Sequence, residues 1–285
     1  APVIVDRFAP ERAPEKERAR SMIIALAKEC LYGPALAFDL PGEGGHSSRK
    51  IKEAFPSIKI FAAESVPEIA SVIKKKMATG EIPVDHLYEC NASDAFVAHA
   101  KALLRPFDLV NLDVCGKWSE SLVITLNALF DNKLLANNGV LAITHLAVRD
   151  DRKSPGEALC FALNLNMPPR IGEMSFASRS FTRDEVRHLI SGLIQRSAIT
   201  RGYNLIPLVD PFEYADDPRS PMSVYVFRAE FPVTDQEACQ RKADLLEFEW
   251  AKCMLDPNKK GKFIEYLVDE YLRELGPEQR EEFTE

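Results

Sequence analysis

Short apolar runs alternate with helical segments five times between residues 34 and 147, and this alternation limits the fold more than any other feature of the chain. The runs are "PALAFDL", "IKIFAAE", "VDHLYEC", "FDLVNLD" and "GVLAITHLA". Several are continuously apolar rather than alternating in polarity, which is typical of strands covered on both faces. We therefore expect an α/β protein with a mostly parallel, doubly wound sheet.

The chain after the fifth run predicts a different kind of strand pairing. The runs "YNLIPLVDPFEY" and "SPMSVYVFRAEF" are rich in β-forming residues and are joined by "ADDPR", which predicts an antiparallel hairpin. The expected sheet therefore has seven strands and ends in an antiparallel hairpin strand. Helical additions are expected at both ends of the chain, in 1–33 and 234–285. Helix caps are predicted at Ser93, Ser119 and Thr182.

Charge and composition exclude several classes of protein. The net charge is −7, and the segment 234–285 carries 14 acidic and eight basic residues, so the rest of the chain is close to neutral and has no basic footprint overall. We expect the acidic helices to pack on the domain or to contact a protein partner. No apolar run approaches the ~18 residues of a membrane span, and the start lacks a signal-peptide core.

The cysteines and the first residue add to an expectation of a cytoplasmic protein. The six cysteines form no C-x-x-C pair, which favours reduced thiols and makes a metal site unexpected. The first residue is Ala, as in a cytosolic chain that has lost its initiator Met.

A glycine-rich turn follows the first apolar run and predicts a ligand site. It reads Asp39-Leu40-Pro41-Gly42-Glu43-Gly44-Gly45 and leads into a helix. Small residues let a backbone turn sharply and approach a ligand, and the N–H groups of the next helix favour an anionic group. The dinucleotide fingerprint G-x-G-x-x-G fails at Ser47, and the G-K-[ST] of a P-loop is absent.

The acid before this turn, followed by small residues, resembles the first motif of the class I S-adenosylmethionine-dependent methyltransferases. The departure is Pro41, where many members carry glycine. The resemblance covers about residues 34–231. It implies a Rossmann-like domain over 34–233 that uses S-adenosylmethionine, with the turn beside the methionine part. It also implies an antiparallel strand beside the fifth strand, as the terminal hairpin predicts.

Two further strand ends fit the same resemblance. Glu64 ends the second run, 22 residues after Gly42, where a carboxylate accepts hydrogen bonds from both ribose hydroxyls; dinucleotide binders share this feature. Asp94 follows the third run, where the family often has an acid that meets the adenine amino group. It also suits a helix first turn without any ligand. The expected cofactor site comprises Asp39, Pro41, Gly42, Gly44, Gly45, Glu64, Ser65, Ser93 and Asp94.

Candidates for chemistry follow the fourth and fifth runs. Asp113 corresponds to the family's fourth motif and would orient or deprotonate a methyl acceptor, or else only position the cofactor. His145 is a candidate base near neutral pH, with a core histidine as the alternative. Cys115 is expected to be a buried thiol, and Trp118 either stacks on a planar acceptor or packs against a helix. Lys117 lies in the same stretch.

Patterns that would specify the acceptor are mostly absent. The fourth motif reads D-V-C-G, not the D-P-P-Y of amino-methylating DNA enzymes, and the cytosine-C5 and metal-dependent catechol patterns are missing. Asp113 matches one member of the Lys-Asp-Lys-Glu set of 2′-O-methylating enzymes, but the lysines cannot be placed. Some tRNA-modifying members carry D-x-x-G, and "RDDRK", "RSFTR" and "QRSAITR" would give a basic rim at the mouth.

The sequence therefore predicts a methyltransferase whose acceptor is a nucleic acid. The alternative is a catalytically degenerate methyltransferase-fold subunit that acts as a binding or structural partner in a larger complex. A nicotinamide-dependent oxidoreductase is disfavoured by Ser47 and by the terminal hairpin.

Overall fold

A computed structural model describes residues 13–147, 183–218 and 220–233. In this part of the chain, six helices and eight strands form one α/β unit around a single sheet. The elements are α1 Pro14–Cys30, β1 Leu36–Asp39, α2 His46–Ala54, β2 Lys59–Ala63, α3 Pro67–Ala78, β3 His86–Tyr88, α4 Ala92–Lys101, β4 Phe107–Lys117, α5 Glu120–Asp131, β5 Leu135–Leu146, α6 Arg183–Ile199, β6 Asn204–Pro207, β7 Phe212–Tyr214 and β8 Met222–Glu230.

The sheet has the order β3-β2-β1-β4-β5-β8-β6. Strands β1 to β5 are parallel, and β8 runs antiparallel to β5. Both β6 and β7 pair antiparallel with β8, so eight strands occupy seven positions. The predicted doubly wound sheet and its terminal antiparallel strand are therefore confirmed. The run "YNLIPLVDPFEY" is divided into two strands, whereas one was expected.

Helices cover both faces of the sheet because most strands are apolar on both sides. Side chains of α1, α2 and α3 pack on one face, and those of α4, α5 and α6 pack on the other. The face under α1 is formed by small and branched residues such as Ala37, Leu109 and Val226. The opposite face is dominated by larger side chains, among them Phe38 and Phe130.

The N-terminal helix α1 is part of this core. Ala19, Ile23 and Ala27, spaced three to four residues apart, are buried against the sheet. The amino end of α1 is held by a residue about 200 positions later in the chain. The carboxylate of Asp216 accepts hydrogen bonds from the backbone N–H groups of Glu15 at 2.8 Å and Lys16 at 3.0 Å. A carboxylate there also suits the positive end of the helix dipole.

Some predictions fall outside the described residues. The acidic extension 234–285, the cap at Thr182 and residues 1–12 belong to this group, so their predicted structure and the domain boundaries stay predictions. Ser119 does cap α5, where its side chain accepts a hydrogen bond from the N–H of Leu122. Within the described ranges no helix is both long enough and apolar enough to cross a membrane.

The carboxylate of Asp108 fastens the start of β1 to β4. One oxygen accepts hydrogen bonds from the N–H groups of Ala35 at 2.7 Å and Leu36 at 3.0 Å. We expect Asp108→Ala to lower the free energy of unfolding by about 2–3 kcal/mol, because both N–H groups lose a charged acceptor.

Urea denaturation followed by circular dichroism measures this change. The control is Asp131→Ala, which removes the exposed ion pair with Arg201 and should cost about 0–1 kcal/mol. Equal losses in the two variants would contradict the role given to Asp108.

Candidate functional site

The turn between β1 and α2 needs glycine at two positions. Gly42 has φ +57° and Gly45 has φ +60°, a region that other residues rarely adopt. The N–H of Gly45 donates to the carbonyl of Pro41 at 3.2 Å, which closes the turn. A Cβ on Gly45 would lie 2.6 Å from the side chain of Ile82, whereas one on Gly42 would meet nothing within 4 Å. The turn is therefore packed on one side and open at Gly42.

The amino end of α2 is available for an anionic group. Gly45 is its N-cap, and glycine has no side chain with which to cap this end of α2. The N–H groups of a helix's first turn have no partner within the helix, and they carry its positive dipole end. The backbone of Glu43 in the same turn is fixed by Lys76, whose ammonium donates to its carbonyl at 2.8 Å.

Asp39, the acid before the turn, is fully buried. It accepts hydrogen bonds from Ser48 at 2.6 Å, Ser47 at 2.8 Å and the side-chain amide of Asn111 at 2.8 Å. Burial raises the pKa of Asp39, and these hydrogen bonds oppose that rise. Asp39 therefore ties the end of β1 to the start of α2 and to β4, which fixes the turn between β1 and α2. Sequence reasoning gave no role to Ser48 or Asn111 and treated Ser47 only as a departure from glycine.

Glu64 and Ser65 follow β2 at the same edge of the sheet. Glu64 is half-buried and Ser65 is exposed. The backbone N–H of Glu64 donates to the carbonyl of Tyr88 at 3.0 Å, and its carboxylate Oε1 accepts from the N–H of Val66 at 2.8 Å. The carboxylate is thus held at the strand end, as the sequence predicts.

The start of α4 differs from the prediction at one residue. The N-cap is Asn91 rather than Ser93, and its side chain accepts from the N–H of Asp94 at 2.8 Å. The amide of Asn91 donates back to the Asp94 carboxylate at 2.8 Å, and the Ser93 hydroxyl donates to the Asn91 side chain at 2.6 Å. Asn91 takes the cap because its backbone is extended, whereas Ser93 lies inside the first turn. Asp94 stays exposed.

Asp113 near the end of β4 forms an ion pair that the sequence did not predict. Its Oδ2 lies 2.8 Å from the ammonium of Lys16 on α1, and the two side chains are only 12% and 8% exposed. The other oxygen, Oδ1, is buried, and the described part of the chain offers it no hydrogen-bond partner. No local pattern points to Lys16, because it lies 97 positions before Asp113.

His145 lies in the core on the opposite face of the sheet. Its Nδ1 is 2.9 Å from the carbonyl oxygen of Leu146 and must carry the hydrogen, so Nε2 accepts from the Tyr225 hydroxyl at 3.3 Å. Its ring stacks on Tyr225 and meets the edge of Trp118. Burial lowers the pKa of His145 to about 4. The imidazole is neutral at neutral pH, and both ring nitrogens are engaged.

Other features expected at the site lie elsewhere in the structure or outside the described residues. Trp118 is 3% exposed and packs in the core, so it offers no exposed stacking surface. In "QRSAITR", Arg201 pairs with Asp131 at 2.7 Å just before β5 begins, at the edge opposite the candidate site. That segment therefore cannot belong to a basic rim at the mouth. "RDDRK", most of "RSFTR" and the side chains of Cys115 and Lys117 lie outside the described residues.

The strand ends bring the predicted cofactor residues to one edge. Because β1, β2, β3 and β4 are parallel, the glycine turn, Glu64, Asn91 and Asp94 lie just beyond the carboxyl ends of β1, β2 and β3. Asp113 was predicted to end β4, but β4 continues to Lys117, so Asp113 lies within the last part of the strand. His145 ends β5 at the same edge but faces the other helix layer. In the described ranges no group of three or more His, Cys, Asp or Glu side chains is placed to hold a metal ion.

Comparison with known proteins extends only to the fold. No protein-family model matches the sequence, and no curated protein matches it. Among solved structures, the chain is similar to Trm1 from Pyrococcus horikoshii in complex with S-adenosyl-L-methionine, at 17% identity and a TM-score of 0.46, covering 81% of this chain and 57% of that protein.

Two further structures are similar in the same degree. An rRNA methylase from Streptococcus thermophilus has 11% identity and a TM-score of 0.40, over 73% of this chain and 95% of that one. Precorrin-6y C5,15-methyltransferase from Geobacter metallireducens has 14% identity and a TM-score of 0.42, over 80% and 92%.

Sequence identities and TM-scores in this range concern the course of the backbone and say nothing about a substrate. The strand order and the antiparallel strand beside β5 define a doubly wound, Rossmann-like fold, as the sequence resemblance implies.

The buried, neutral state of His145 predicts a loss of stability in acid. The unfolded histidine has a pKa of about 6.5, so below that pH the unfolded chain takes up a proton that the folded chain does not. The stabilisation is complete above about pH 6.5 and falls as the pH drops towards 4. We expect the His145 share of this loss to be about 2 kcal/mol between about pH 7 and 5.

Urea denaturation of the native protein and of His145→Phe, at both pH values, measures this share. The variant should lose correspondingly less stability in acid. Parallel pH dependence in the two proteins would show that His145 is not held neutral by burial.

Proposed function

We propose that this protein is a methyltransferase that uses S-adenosylmethionine and acts on a nucleic acid. The observation that carries the proposal is the gathering of three features at one sheet edge. These are an open glycine turn before an uncapped helix, the Glu64 carboxylate at the end of β2 and the Asp94 carboxylate on the first turn of α4. They match, in kind and in order, three parts of the cofactor: an anionic carboxylate, a pair of hydroxyls and an amino group.

Each of these residues has a distinct task in binding. The turn from Gly42 to Gly45 would receive the methionine part, since the open side at Gly42 leaves room for a ligand to approach the backbone. Glu64 would accept hydrogen bonds from the ribose hydroxyls. Asp94, held by Asn91, would accept from the adenine amino group. Asp39 would act indirectly by fixing the turn and the start of α2.

Asp113 is the group proposed for chemistry. The cofactor supplies an electrophilic methyl group on a sulfonium. The acceptor's lone pair forms a bond to that carbon as the carbon–sulfur bond breaks, and the acceptor then loses a proton. The Oδ1 of Asp113, which has no hydrogen-bond partner in the described part of the chain, would orient an N–H or O–H of the acceptor and take that proton. His145 is the second candidate from the sequence, but its ring is buried on the opposite face of the sheet and both of its nitrogens are hydrogen-bonded.

The nucleic-acid half of the proposal has narrower support. It rests on the Asp-x-x-Gly pattern from Asp113 to Gly116. Gly116 is exposed, and a Cβ built on it would meet nothing within 4 Å among the residues that the structure describes. The backbone beside Asp113 is therefore open enough for a bulky acceptor to reach the strand end.

Cofactor preference tests the first half of the proposal. We expect S-adenosylmethionine and S-adenosylhomocysteine, but not NAD, to raise the melting temperature. Ligand at 100 times its dissociation constant adds about 2.7 kcal/mol of stability. Glu64→Gln should weaken both sulfur ligands about tenfold or more in calorimetry, because a charged acceptor is lost.

The matched control for Glu64 is Glu68→Gln, an exposed carboxylate on the first turn of α3. It should bind like the native protein. Stabilisation by NAD alone would reject the methyltransferase proposal, and unchanged affinity in Glu64→Gln would remove Glu64 from the ribose site.

The acceptor is tested by transfer of a radiolabelled methyl group to pooled RNA, DNA, protein and metabolite fractions. Label is expected in a nucleic-acid fraction. Asp113→Asn should still bind the cofactor but transfer about 100- to 10,000-fold more slowly. Label confined to protein or metabolites would reject the nucleic-acid acceptor. Binding without transfer to any fraction would favour the degenerate subunit.

A further inference from the structure

The ion pair between Lys16 and Asp113 places a fixed positive charge beside the proposed methyl-transfer position. The ammonium and Oδ2 are 2.8 Å apart, and both side chains are almost fully removed from solvent. Charges in such surroundings are poorly screened, so each acts strongly on neighbouring charged groups. A buried pair adds little net stability, but loss of one partner leaves the other uncompensated.

The pair lies on the same side of the sheet as the glycine turn. Asn111, two residues before Asp113 on β4, binds the Asp39 carboxylate just before that turn. Burial is the main cause that raises the pKa of Asp39, and the nearby charge of Asp113 raises it further. The Lys16–Asp113 pair is thus within electrostatic reach of the residues proposed to hold the methionine part of the cofactor.

The surrounding charges do not replace Lys16. On α1, Glu17 is engaged by Lys50 at 2.6 Å and by Arg20 at 3.6 Å. The Asp216 carboxylate lies at the backbone N–H groups of the helix start. Within the described ranges Lys16 forms the ion pair with Asp113, so this carboxylate draws its compensating charge from α1.

We propose that Lys16 determines how the site discriminates between the methyl donor and its demethylated product. S-adenosylmethionine carries a positive sulfonium, whereas S-adenosylhomocysteine has a neutral thioether at the same place. With Lys16 present, Asp113 is balanced and attracts the sulfonium only weakly. The charge of Asp113 then gives the cationic donor little advantage over the neutral product. This inference rests on the proposed function, because it requires these ligands to occupy the edge beside Asp113.

The two single substitutions should act in opposite directions. Lys16→Met leaves the Asp113 carboxylate uncompensated, which favours the cationic donor over the neutral product. Asp113→Asn removes the carboxylate that offsets the Lys16 ammonium, so the positive charge beside the site is less balanced and the neutral product is favoured. A role in packing alone would weaken both ligands together and would leave the ratio of their affinities unchanged. The sign of the change therefore separates charge compensation from structure.

Isothermal titration calorimetry with the two sulfur ligands at low ionic strength tests this inference without any acceptor. The donor-to-product affinity ratio should rise about fivefold or more in Lys16→Met and fall by a similar factor in Asp113→Asn. The double variant should return to within about twofold of the native ratio, and Lys16→Arg should keep it. The control is Lys50→Met, which removes a different ion pair to α1, the one with Glu17.

The outcomes separate this inference from the proposed function. Native protein that binds both ligands, with a ratio unmoved or moved in the same direction by both substitutions, overturns the inference and leaves the proposed function standing. Native protein that binds neither ligand overturns both. If Lys16→Met does not fold, Asp113→Asn must still shift the ratio towards the product, and Lys16→Arg must not; failure of either overturns the inference.

Discussion

The buried carboxylate of Asp39 connects the three elements on which the candidate site depends. Two hydroxyls from α2 and one amide from β4 donate to it, while its own backbone ends β1. A buried charged group without such donors would be costly, so the three hydrogen bonds must form together. They set the position of α2 relative to both strands, and the glycine turn that joins β1 to α2 has little freedom left.

The two faces of the sheet carry different chemistry at the same edge. The face under α1 has charged and polar groups, Asp39, Asn111 and the Lys16–Asp113 pair, directly beside the glycine turn. The other face has the stacked rings of His145 and Tyr225. A ligand at the turn would therefore have the charged and polar groups on the α1 side of the sheet. The stacked rings of His145 and Tyr225 would lie on the other side.

The sequence predicted those parts of the structure that depend on local patterns. Continuous apolar runs specify buried parallel strands, and strand ends specify where Glu64 and Asp113 lie. Features that depend on distant contacts were not predictable. Lys16 meets Asp113 because α1 packs on the face of the sheet that carries Asp113. Arg201 lies at the opposite edge because it follows α6 and pairs with Asp131 at the end of α5. The cap at Asn91 was missed because neighbouring Asn and Ser have similar cap preferences.

The anchoring of α1 has a consequence for the order in which the molecule assembles. Its amino end is bound by Asp113 and by Asp216, and the second contact spans about 200 residues of chain. During synthesis, which proceeds from the amino terminus, α1 is made before β7 and β8, so the Asp216 acceptor is made only after the five parallel strands. A nascent chain that ends before Asp216 has all five parallel strands and the glycine turn, yet the first turn of α1 lacks this acceptor. Full hydrogen bonding of the first turn of α1 therefore requires the chain at least as far as Asp216.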